Sequence, residues 1–79
     1  MEERSKVYEL ILERLTAMLG DKGYTEETKY ADIGIKSVNY SSMITYLEDE
    51  LDVEIPFMQF RRKATIGESV DFVCELLDE

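Results

Sequence analysis

The stretch Ala31–Pro56, "ADIGIKSVNYSSMITYLEDELDVEIP", decides the fold. After Ser37 the side chains Tyr40, Met43, Ile44, Leu47 and Leu51 recur at intervals of three and four, which puts them on one face of an α-helix. Asn39, Ser42, Glu48, Asp49 and Asp52 fall roughly on the other side and are expected to face solvent. The reading is an amphipathic helix from Ser37 to about Leu51. Ser37 is expected to cap it, because a serine hydroxyl at that position accepts a first-turn N–H. Ile55-Pro56 stops any helix before it: the residue preceding proline is driven out of the α region, and proline interrupts the hydrogen-bond ladder.

Working outward, Val7, Leu10, Ile11, Leu15, Met18 and Leu19 repeat the same period among Glu, Arg and Lys, which predicts a helix from Glu2 to Leu19 ended by Gly20. The connection from there to Lys36 is long for so small a chain and needs anchors. Tyr24, Tyr30, Ile33 and Ile35 are the candidates, with Gly34 supplying a turn. Phe57 to Lys63 reads as a short helix. Thr65, with Glu68 three residues on, is an N-cap for a last helix whose stripe is Val70, Val73, Cys74 and Leu77, widened by Phe72 and Leu76. No segment alternates with period two. The expected fold is an all-α bundle of three to four helices, one domain over residues 1–79, with a long loop between the first two helices.

Composition narrows the function. The 79 residues carry 9 Lys and Arg against 18 Asp and Glu, a net charge of -9 that repels nucleic acid and anionic membrane and attracts basic protein surfaces. The charge is patterned, since residues 37–60 carry only acids and Arg61, Arg62 and Lys63 follow as a basic patch. With no histidine and one cysteine, the usual general base and zinc-ligand sets are missing, and the acidic loop around Asp21 to Glu27 lacks the alternating oxygen ligands of a calcium loop. Cys74 lies on a helical stripe, which favours packing over reactivity. The tyrosines read as core and rim packing, because a base-stacking platform needs a basic groove beside the rings. No apolar run reaches the length of a membrane span, and the first apolar residues already sit in a charged helical pattern, so no signal peptide is expected and the cytoplasm is the expected compartment.

The joint spacing of Asp32, Ile33, Gly34, Ser37, Val38, the acids Glu48 to Glu50, Ile55 and Pro56 resembles the centre of an acyl carrier protein, and the flanking helices fit over essentially the whole chain. The resemblance implies that Ser37 carries 4′-phosphopantetheine, transferred from coenzyme A by a phosphopantetheinyl transferase. The arm would hold an acyl, aminoacyl or polyketide group as a thioester, so the chain would be a monomeric carrier and not an enzyme. Lys36 and Val38 would flank the arm. Asn39, Ser42, Glu48, Asp49 and Asp52 would dock the acyl- or aminoacyl-loading and condensing enzymes.

A phosphodiester at Ser37 would also suit a helix N-terminus, whose free N–H groups favour an anion. Lys36 departs from the family, in which Asp or His often precedes the serine. That departure, with Asn39 and Ser42 in place of acids and the positive charge of Arg61 to Lys63, points to a dedicated or specialised biosynthetic pathway rather than housekeeping fatty acid synthesis. Ser41 and Thr45, polar where such carriers are usually apolar, suggest that a long alkyl chain is not well buried between the helices. The alternative reading is an unmodified, acidic carrier-like module for protein–protein interaction, in which Ser37 is only a cap.

Overall fold

The apolar stripes predicted from the sequence meet in one core in the computed structural model, which describes residues 2–78. Helix α1 (Glu2–Leu19) packs along α4 (Ile66–Leu77) and, on its other flank, along α2 (Ser37–Leu51), and the short α3 (Phe57–Arg61) leans on α2. This is a small all-α bundle. Val7, Ile11 and Leu15 from α1, Met43 and Leu47 from α2, Phe60 from α3, and Ile66, Val70 and Val73 from α4 are fully buried. Residues of all four helices therefore share one apolar interior, the dominant favourable contribution to folding.

Gly20 ends α1 as expected: it adopts φ +88, a region open to glycine, and its N–H bonds to the Thr16 carbonyl at 2.9 Å. The long loop is tied down by both side chains and backbone. Tyr24, Tyr30 and Ile33 are buried, and Ile35 is half-buried. Tyr30 opens a single 3-10 turn (Tyr30–Asp32), packs its ring 5.4 Å from that of Tyr40, and donates its hydroxyl to Ser69 Oγ at 2.9 Å. Burial pushes the Tyr30 phenol well above its ordinary range, so this donor stays protonated.

The loop backbone also pairs with the start of α4. Tyr30 N–H donates to Ala64 O, Ile66 N–H to Thr28 O, and Gly67 N–H to Glu26 O, at 2.9 to 3.0 Å. A Cβ on Gly67 would lie 3.0 Å from the Glu26 carbonyl oxygen, so the absence of a side chain is what permits this approach. Arg4 on α1 holds the same corner by pairing with Glu26 of the loop and Asp71 of α4. Its guanidinium holds the Glu26 carboxyl below the usual carboxylate range.

Among the described residues no helix is long and apolar enough to cross a membrane.

Candidate functional site

The site is the start of α2. Gly34 turns the chain at φ +69, and Lys36 is extended, with φ -117 and ψ 168. Ser37 is therefore the first helical residue, and Lys36 occupies the cap position. This corrects the expectation that Ser37 caps the helix: serine is the favoured residue type, but the backbone changes conformation one residue earlier. The Lys36 ammonium has no acceptor to offer, and no side chain caps the first-turn amides. Asn39 supplies only the reverse contact, its Oδ1 accepting the Lys36 N–H at 2.9 Å. The N–H groups of Asn39 and Tyr40 donate to the Lys36 carbonyl at 2.9 and 3.1 Å.

Ser37 is exposed, and its hydroxyl makes no hydrogen bond among the described residues. Beside it Lys36 is exposed and Val38 is 70% exposed, a large apolar side chain left in solvent. An uncommitted hydroxyl thus sits at an uncapped helix end, next to a cation and an apolar contact. That combination accommodates a phosphate ester on Ser37 Oγ, because the free first-turn amides and the positive end of the helix dipole favour an anion.

The five expected docking residues divide. Asp49 and Asp52 are exposed, with Asp52 ending α2 in a left-handed conformation at φ 51. Asn39, Ser42 and Glu48 are half-buried and engaged within the chain, which corrects the expectation that they face solvent. Asn39 Nδ2 lies 3.9 Å from Met18 Sδ, Ser42 Oγ accepts from Arg14 Nη2 at 2.7 Å, and Glu48 Oε2 accepts the Ile55 N–H at 2.9 Å. These positions border the apolar stripe, where α1 and the segment after α2 reach over them. The outward face is instead Val38, Ser41, Thr45 and Asp49. Ser41 and Thr45 are exposed, so they carry no implication for burial of an alkyl chain between the helices, contrary to the sequence reading.

The basic patch is more structured than its sequence suggests. Arg61, Arg62 and Lys63 line a cleft of about 410 Å³ together with Lys29 from the loop, over a floor that includes Ile35 and Tyr40. Lys29 is separated from them by more than thirty residues, and only the 3-10 turn, folded against the segment after α3, brings it alongside. Lys63 Nζ lies 4.9 Å from the centre of the Phe72 ring, a cation–π contact.

Cys74 is half-buried, and desolvation with nearby acids pushes its thiol up, which disfavours the nucleophilic thiolate. Tyr24 and Tyr40 are buried, while Tyr8 and Tyr46 are half-buried at the rim. Among the described residues no group of three or more Cys, Asp or Glu side chains is placed to hold a metal ion.

No family model matches the chain, and no solved structure matches it.

Proposed function

We propose that the chain is a carrier protein whose Ser37 is esterified by 4′-phosphopantetheine and whose cargo, an acyl, aminoacyl or polyketide group, is held as a thioester on that arm. The observation that carries this reading is the state of Ser37: an exposed hydroxyl with no partner in the chain, at the first position of a helix whose amides lack a side-chain cap. The spacing from Asp32 to Pro56, which resembles the acyl carrier family, supplies the chemical identity of the group. In this reading the arm's thiol supplies the reactive group, while the protein presents it to separate enzymes. Val38 offers the apolar contact beside the ester, and Lys36 an ammonium within reach of its phosphate. The specialised pathway suggested by Lys36 and the cytoplasmic setting belong to the same proposal.

The alternative of an unmodified module gave Ser37 a capping role, but the cap position is held by Lys36 and the Ser37 hydroxyl caps nothing. This removes the structural reason for a serine at position 37 and favours the carrier reading. The test is incubation with coenzyme A and a phosphopantetheinyl transferase, both a broad-specificity one and one co-expressed from the same source, followed by intact-mass and peptide mass spectrometry. A phosphopantetheine adduct on Ser37 is expected; no adduct under either condition would sink the proposal.

A further inference from the structure

Six of the nine cations, Lys22, Lys29, Lys36, Arg61, Arg62 and Lys63, lie in the loop before α2 or in the segment at the end of α3, while the remaining three are on α1. The acids of residues 48–54 lie at the opposite end of α2. Within a chain of net charge -9 the segment at the end of α3 is therefore a cluster of cations alone, whereas the loop before α2 mixes its lysines with Asp21, Glu26, Glu27 and Asp32.

The cleft lined by Lys29, Arg61, Arg62 and Lys63 holds no carboxylate in its walls. Among the described residues none of these four side chains forms an ion pair; Arg4 makes both of the recorded bridges. Like charges gathered without partners repel one another, and this repulsion is relieved when carboxylates arrive. The Tyr40 hydroxyl makes no hydrogen bond among the described residues, and its ring forms part of the floor.

The cleft is also next to the site. Ile35 precedes Ser37 by two residues, so their Cα atoms are at most about 7 Å apart. Tyr40 follows Ser37 by three, which on a helix brings their Cβ atoms to about 5–6 Å. A protein that covers Ser37 from the α3 side covers the cleft as well.

We propose that the enzymes acting at Ser37 present an acidic surface whose carboxylates enter the cleft formed by Lys29, Arg61, Arg62 and Lys63. The inference rests on the carrier reading of Ser37, and it reverses the basic partner expected from the acidic run of α2. A protein surface suits the cleft because its cations are spread around an apolar floor, where several separate carboxylates reach them. Nucleic acid is disfavoured because the Tyr40 ring is buried and offers no face for a base to stack on.

The test is the kinetics of Ser37 loading from coenzyme A, using whichever transferase loads the wild-type chain. For the double variant Arg61→Glu/Arg62→Glu the expected result is a fall in kcat/KM of about tenfold or more, chiefly through KM, with Arg61→Lys/Arg62→Lys close to wild type. Raising salt should slow loading of the wild type and not of the reversed variant. Ser5→Glu/Lys6→Glu/Ala17→Glu, at exposed positions of α1 away from the cleft, lowers the net charge by the same amount and should not reproduce the loss. Positions 61 and 62 are exposed, and an unchanged thermal transition establishes that the variants are folded.

Loading indifferent to the cleft reversal, or lost in Asp49→Lys/Asp52→Lys instead, overturns the inference and leaves the carrier reading intact. Absence of loading in the wild type overturns the carrier reading itself. As a binding arm, an octaglutamate peptide should shift the amide resonances of residues 61–64. Equal shifts from inorganic phosphate at matched ionic strength would make the cleft a small-anion site and overturn the docking role.

Discussion

Helices α2 and α4 begin in opposite ways. At the start of α4, Thr65 Oγ1 accepts the Glu68 N–H at 3.2 Å, Glu68 brings a negative charge to the first turn, and the loop backbone pairs with Ile66 and Gly67. Ile66, Gly67, Ser69 and Val70 are buried there. At the start of α2, Lys36 has no acceptor, the first turn carries no acid, and Lys36, Ser37 and Val38 are all exposed. The bundle thus closes one helix end with a cap and leaves the other open. An open end costs stability that an N-cap of ordinary type would supply, and it leaves amides available to an incoming anion.

The comparison can be broken most strongly on the closed side. Ser69→Ala leaves the buried Tyr30 hydroxyl without its acceptor and should cost about 1–3 kcal/mol in denaturant unfolding. Thr65→Ala removes the α4 cap and should cost about 1 kcal/mol, while Lys36→Asp adds a cap to α2 and should gain about the same. If Lys36→Asp gained nothing, the description of α2 as uncapped would be wrong. Because the new carboxylate would be favoured in its charged form when folded, its gain should be present above the ordinary carboxylate range and disappear as pH falls through it.

The smallest effect belongs to Glu26. Its carboxyl is held low by the hydrogen bonds from Arg4, so its contribution is present above the unfolded pKa and lost as pH falls through the folded one. Glu26→Gln should lower stability slightly at neutral pH and leave it unchanged in acid, which flattens the acid limb of the stability curve.

Helix positions were legible in the sequence because burial imposes a period of 3.6 that the apolar residues obey. Glu2–Leu19 and Ser37–Leu51 follow from that stripe, while Gly20 marks the end of α1 and Thr65 the start of α4 by residue type. The sequence predicts that the short helix reaches Lys63, and it ends at Arg61, with the Arg62 and Lys63 N–H groups still donating to the Gln59 and Phe60 carbonyls in a closing turn. Other features depend on what lies across from a residue. Asn39, Ser42 and Glu48 sit on the border of the stripe, and only the positions of Met18, Arg14 and Ile55 turn them inward.

The choice of Lys36 over Ser37 as cap depends on backbone angles to which residue preference is blind. The cleft depends on Lys29 meeting Arg61–Lys63 across the fold, a juxtaposition that no local pattern encodes. Loop length was a usable signal: the segment needed anchors, and Tyr30 serves as one through Ser69.

The central claim is that Ser37 is exposed and uncommitted for chemical rather than structural reasons, and the Ser37→Ala variant tests it most directly. Its unfolding free energy and its intact mass after loading from coenzyme A should be measured on the same samples as the wild type. The account predicts a stability within about 0.5 kcal/mol of wild type, since the hydroxyl caps nothing, together with complete loss of the phosphopantetheine adduct. A loss of about 1 kcal/mol or more, or a wild-type chain that acquires no adduct, would contradict it.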